Sequence, residues 1–172
     1  TFTNRAAGEM RHRLLGLGVR GAQVRTFHAA ALRQLRFFWP QLSRTAFPEL
    51  MSSKASIVAR SLAHCKVDSD KALLRDVSGD IEWCKSNMMV SALIHKAKRD
   101  FAIDVATLAK VMDSDETLKK DRNLLDFDDI LMLMSAAIRT RPDIQSAVHS
   151  AYRWFTVDEF QDVNPLQKSV LD

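Results

Sequence analysis

Apolar residues recur every three or four positions through most of the chain, and strict alternation is scarce. This pattern predicts helices joined by a few short strands. Asn4 is placed to cap a first helix running to about Leu17, with Ala7, Met10, Leu14 and Leu17 at helical spacing. Gly16, Gly18 and Gly21 break it. Thr1-Phe2-Thr3 reads as the end of a strand, and Val24-Arg25-Thr26 as a second short one. A helix fits from Phe27, with Ala31, Leu35 and Phe38 on one face, and Pro40 is expected to end it.

Residues 41–123 show no strand alternation. Ser53 to Cys65, Leu73 to Ala97 and Val105 to Leu118 favour helix, and Ser78-Gly79-Asp80 reads as a turn capping a helix from Ile81. The region reads as a helical subdomain inserted into something else. Asp126 then opens a helix with a stripe of Phe127, Ile130, Leu131, Met134 and Ile138. Asp126 suits the N-cap, and Asp128 and Asp129 the first turn, where the helix dipole favours acid, so structure alone accounts for all three. Pro142 starts another short helix, Arg153 to Val157 is a strand, and Pro165 starts a final helix to Leu171.

Of 172 residues, 47% are hydrophobic and 27% charged, enough to fill a core and too apolar for a disordered chain. No stretch approaches the roughly 18 apolar residues of a membrane span, and the polar, basic start has no signal-peptide core. Cys65 and Cys84, far apart in apolar surroundings, suggest reduced thiols in a cytosolic protein. Charge is uneven. Residues 1–60 hold ten Lys/Arg against Glu9 and Glu49, while the rest holds fifteen against nineteen acids, so a polyanion partner is expected on the first third.

Two constellations carry chemistry. In WFTVDEFQDVNPLQ, Trp154 to Gln167, an apolar run ends on Asp158-Glu159. Carboxylates at the C-terminal end of a buried strand sit where open α/β sheets bind ligands. One can hold Mg²⁺ on a nucleotide and its neighbour can polarise water. The phosphate-binding loop that should accompany them, G-x-x-x-x-G-K-[ST], is nowhere in the 172 residues. The second is a repeated arrangement: TFTNRAAGEMRHRL and VRTFHAAALRQLR each join a Thr-Phe pair and a polar residue to a basic helix. Helix N-termini take phosphates and aromatic faces stack on bases, which suits a nucleic-acid strand.

Together these stretches resemble the UvrD/Rep/PcrA family of superfamily-one DNA helicases. Residues 1–14 resemble motif Ia, 24–36 the TFH motif, LLDFDDILMLM at 124–134 the LDFDDLL helix, and FTVDEFQDVNPLQ at 155–167 motif II. AAGEMRHRL and TFHAAALRQLR resemble actinobacterial UvrD-like members in flavour. The resemblance implies an internal fragment from the N-terminal half of an ATP-dependent helicase that moves 3′ to 5′ on single-stranded DNA in repair or recombination, in the cytoplasm. It implies a mainly α fold with a few parallel strands: a truncated RecA-like subdomain (1–36 and 124–172) carrying an inserted helical subdomain (37–123). Asp158 would coordinate Mg²⁺, Glu159 would activate water and Gln161 would couple nucleotide state to the rest. Phe2, Asn4, Thr26, Phe27 and His28 would line the single-strand site. ATP and Mg²⁺ are the implied cofactors, and DNA strands and junctions the partners. Without the phosphate loop and second RecA-like subdomain the fragment is expected to be inactive, and unpaired sheet edges to favour self-association. A helicase–nuclease subunit and a nucleotide-independent helical DNA-binding module are the alternatives. A metal-dependent hydrolase built on Asp126, Asp128, Asp129, Asp158 and Glu159 is more distant, since it lacks histidines at ligand spacing.

Overall fold

A computed structural model describes residues 1–171. Eight α-helices carry the described chain: α1 (Asn4–Gly16), α2 (Phe27–Leu42), α3 (Ala55–His64), α4 (Lys71–Ser86), α5 (Val105–Asp121), α6 (Phe127–Thr140), α7 (Pro142–Ala151) and α8 (Pro165–Lys168). Two short strands, β1 (Glu49–Leu50) and β2 (Leu124–Leu125), pair in parallel, with Glu49 opposite Leu124 and Leu50 opposite Leu125. The fold is mainly helical with this one small parallel sheet among the described residues. None of its helices is long and apolar enough to cross a membrane.

Burial divides the apolar residues into two cores. The first is built from Phe27, Ala31, Leu35 and Phe38 of α2 against Ile130, Leu131, Met134 and Ile138 of α6, with Ile144 of α7 and Leu166 of α8. The second joins Val58 and Leu62 of α3, Val77, Ile81 and Cys84 of α4, and Leu108, Val111 and Met112 of α5, closed by Ile94 from a 3₁₀ turn at Ser91–Lys96. Burial in the second core pushes the Cys84 thiol up to about 11, which leaves it an inert packing group. The chain leaves the first core at β1, builds the second, and returns at β2.

Several expectations are corrected. Thr3, not Asn4, caps α1, its hydroxyl accepting from the Ala6 N–H. Pro40 does not stop α2, which runs two residues further. Pro40 withholds only the N–H that would reach Arg36 O, and the last turn closes beyond it: Trp39 O takes the Ser43 N–H and Gln41 O takes the Arg141 guanidinium. Ser78-Gly79-Asp80 lies inside α4, whose true N-cap is Asp70. Asp80 instead holds the later loop, accepting from Arg99 and from the Ala102 N–H. The helix expected over Leu73–Ala97 breaks after Ser86, where Met88 takes a left-handed φ of 55° and the Met89 N–H closes back on Cys84 O. Val24–Thr26 and Arg153–Val157 form no ladder, and Trp154 is 92% exposed. A strand needs a ladder of backbone hydrogen bonds to a neighbour, and neither segment makes one among the described residues.

Between the two cores lies a buried cluster of charge. Asp126 and Asp129 form a capping box at the start of α6: the Asp129 N–H donates to Asp126 Oδ1 at 2.8 Å and the Asp126 N–H to Asp129 Oδ2 at 2.9 Å. The same two carboxylates face two lysines from the second core. Lys85 Nζ reaches Asp126 Oδ2 at 2.8 Å and Asp129 Oδ1 at 2.6 Å. Lys119 Nζ reaches Asp129 Oδ2 at 2.7 Å, Asp126 Oδ2 at 3.1 Å and Asp115 Oδ2 at 3.2 Å. Glu116 bridges both ammonium groups at 2.9 and 2.8 Å. Burial works against charge on Lys85, but Asp126, Asp129 and Glu116 outweigh it and hold its pKa well above the ordinary value. Burial works against the Asp126 carboxylate too, and the two ammonium groups overcome it and hold it far below the usual range. Removing one partner of such a cluster leaves an uncompensated buried charge, at a cost of about 3–5 kcal/mol.

Two predictions follow from these cores. The Ser61 hydroxyl is buried in α3 with no hydrogen-bond partner. Ser61→Ala is therefore expected to stabilise the fold by about 1 kcal/mol, read as a higher urea midpoint at unchanged slope. The cluster predicts the acid limb. Asp126 and Glu116 have depressed values, so their stabilisation is complete above the unfolded carboxyl range, about 4, and is lost as pH falls through the lower folded values. Asp115 and Asp128, raised by burial, offset part of it by taking up protons more readily in the fold. Asp126→Asn keeps the capping oxygen and removes the charge. The variant should be less stable at pH 7 and show a shallower loss of stability below about pH 4 in urea titrations at stepped pH.

Candidate nucleic-acid interface

The starts of α2 and α6 lie side by side, and the aromatic residues gather there. Thr26 caps α2, its hydroxyl accepting from the Ala29 N–H at 3.2 Å. That cap fixes the directions of the next two side chains. Phe27 turns inward and meets Phe2 at 5.7 Å between ring centroids, tilted by 50°. His28 turns to the other side and meets Phe127 edge to face at 5.9 Å. Phe27 and Thr26 are buried, Phe2 and His28 half-buried, and Asn4 is exposed on the first turn of α1. The expected contact residues are thus of two kinds. Phe2 and His28 are accessible, while Phe27 and Thr26 support them from beneath.

Phe127 is the residue that the sequence pattern misplaced. The pattern groups it with the apolar stripe of α6, yet it is 52% exposed beside His28. The spacing gives no sign of this, since 127, 130, 131 and 134 fall on one helical stripe; only the placement of its neighbours at the first turn shows Phe127 at the surface. Asp128, next to it, pairs with Lys54 at 3.2 Å. Burial lowers the His28 pKa, and the Asp128 carboxylate opposes that by favouring the imidazolium.

The acidic segment forms a turn, not a strand end. Asp158 is half-buried in it, and Glu159 is exposed with a left-handed φ of 51°. A left-handed non-glycine costs of order 1 kcal/mol, and such strain gathers at functional turns. The Gln161 amide donates to the Glu159 carboxylate, so these two candidate residues are together. Asn164 and Gln167 then cap α8 reciprocally and anchor the turn to the first core through Leu166. One carboxylate beside nucleotide oxygens and water is a set that Mg²⁺ accepts, and Asp158 fits that role. No group of three or more His, Cys, Asp or Glu that could hold a metal by itself occurs among the described residues. Asp126, Asp128 and Asp129 are committed to the lysines and so form no hydrolase centre with Asp158.

Aromatic rings gather at two adjacent helix starts, and Asp158 and Glu159 stand together in a turn. The family model for the UvrD/REP helicase N-terminal domain matches residues 1–172, and the chain belongs to that family. It is 41% identical over 187 residues to the ATP-dependent DNA helicase UvrD2 of Mycobacterium tuberculosis, covering 99% of this chain and 27% of that protein. It is 29% identical over 178 residues to the ATP-dependent DNA helicase PcrA of Leuconostoc citreum, covering 100% of this chain and 24% of the relative. With the ATP-dependent DNA helicase Rep of Salmonella typhimurium the identity is 27% over 175 residues, covering 97% and 25%. The chain spans about a quarter of the length of these relatives.

The His28 geometry makes a direct prediction. Asp128→Asn removes the charge that favours the imidazolium, so the His28 pKa should fall further below its ordinary value. Titration of the ring carbon-bound protons by NMR reads it, with His28→Gln as the assignment control.

Proposed function

We propose that this chain is the part of an ATP-dependent DNA helicase that grips one DNA strand and supplies the acidic half of the nucleotide site. The observation that carries the reading is the edge-to-face pair of His28 and Phe127 at two adjacent helix starts, with Phe2 against Phe27 at the start of α2. Exposed rings there offer stacking faces worth about 1–3 kcal/mol per base. The basic first third supplies the field that draws the backbone in. Asn4 at the start of α1 gives a polar contact, and Phe27 and Thr26 hold the rings in place.

In the same reading the parent protein moves 3′ to 5′ on single-stranded DNA, unwinds duplex and serves repair or recombination. ATP is its fuel. Mg²⁺, when bound with nucleotide, supplies the positive charge that stabilises phosphoryl transfer. Asp158 would hold that ion, Glu159 would orient and deprotonate the attacking water, and Gln161 would relay the state of the site through its contact with Glu159. Residues 1–36 and 124–172 would belong to a RecA-like subdomain, and 37–123 to a helical subdomain inserted into it. The segment Arg153–Val157 would then take its sheet partners from the remainder of the parent, or from a second copy when the chain is alone. The protein would work in the cytoplasm on the nucleoid.

Fluorescence anisotropy with a labelled oligonucleotide tests the DNA face. Single-strand binding should weaken as salt rises, and Phe127→Ala should reduce affinity about ten-fold at constant salt. Affinity unchanged from that of the unmodified chain, both in Phe127→Ala and in a Phe2→Ala/His28→Ala variant, would overturn the assignment. Steady-state measurements should find no DNA-stimulated ATP turnover by the 172-residue chain itself.

A further inference from the structure

The first turn of α6 is held almost entirely from the second core. Asp126 and Asp129 are bound by Lys85 of α4 and Lys119 of α5. Asp128 is bound by Lys54, at the start of α3, which also pairs with Glu82 of α4 at 3.1 Å. Three of the four residues Asp126–Asp129 are thus tied to helices of the second core, and the fourth is Phe127. Its half-exposed ring has little packing of its own, so its position beside His28 is set by the backbone of that turn. The body of α6, by contrast, is held against α2 by the apolar residues from Ile130 onward.

We infer that Lys85 and Lys119 are positioning residues for the strand-gripping face: they hold the first turn of α6 so that Phe127 stands beside His28, and they couple the second core to that face. The coupling rests on the DNA reading above, but the positioning does not. A shift of the second core relative to α6 drags Asp126 and Asp129, because both lysines contact both carboxylates and cannot follow one without the other. The turn has no independent freedom, since the capping box locks Asp126 to Asp129. A ligand that moves the second core therefore changes the spacing of Phe127 and His28, and a strand held between them resists that movement by the same free energy.

The test uses Lys85→Met alone and combined with Phe127→Ala, with two readouts. In oligonucleotide binding, Lys85→Met should lower affinity about ten-fold in the parent background and cause no further loss when Phe127 is already alanine. In NMR spectra, the His28 ring signals of Lys85→Met should move toward their positions in Phe127→Ala. Losses that add independently, or an unmoved His28 signal in a folded variant, would overturn the inference. If Lys85→Met does not fold, Asp126→Asn, which retains the capping acceptor, takes its place in the same cycle. Absence of oligonucleotide binding by the unmodified chain would defeat the DNA reading, and the His28 signal would still decide the positioning.

Discussion

Two buried ammonium groups shared among four carboxylates hold this chain together. The two apolar cores are built from separate sets of helices. What joins them is the reach of Lys85 and Lys119 from the second core to the capping box that starts α6 in the first. Burying such a cluster gains little over apolar packing, since desolvation consumes most of the attraction. It differs from apolar packing in direction. Apolar surfaces slide past each other at modest cost, whereas an ammonium group placed within 3.2 Å of carboxylate oxygens on both sides admits one register.

That register explains how the motif LLDFDDI distributes its labour. Leu125 goes into the small parallel sheet and the first core, Asp126 and Asp129 face the lysines, Asp128 faces Lys54, and Phe127 is left to the surface. Seven consecutive residues thereby touch both cores, the sheet and the candidate DNA face. The acid-rich helix start is satisfied by structure, as its capping pattern implied. The pattern did not disclose that the counter-charges come from helices forty residues upstream and from the end of the one just before.

The helices were legible because their apolar spacing and caps are local. Asp126, Pro142 and Asn164-Pro165 mark starts that the structure keeps. The misreadings share a cause. Thr1–Thr3, Val24–Thr26 and Arg153–Val157 carry strand-like residues, but a ladder depends on a neighbour that local pattern does not specify. Conversely, β1 and β2 are two residues each, too short to show any period. Helix ends at Lys66, Met88 and Asn123 turn through left-handed residues without glycine, so the usual stop signal was missing. Of the candidate site, the Thr-Phe pairs and the acidic string stood out as motifs. Phe127 did not, because a phenylalanine within an apolar stripe looks like core until its neighbours are placed.

The pairing of β1 with β2 has a consequence of its own. Glu49 and Leu50 lie one ladder step from Leu124 and Leu125, so the whole excursion that builds the second core departs and rejoins at neighbouring points, about 4.8 Å apart. Through the sheet, the first core registers only the two ends of that excursion and not its length. Over evolutionary time such a segment can grow, shrink or be exchanged for another fold, provided that the replacement presents two ends at one strand spacing. It must also bring two cations to the start of α6. A lineage could rebuild the helices between those points and keep the junction intact.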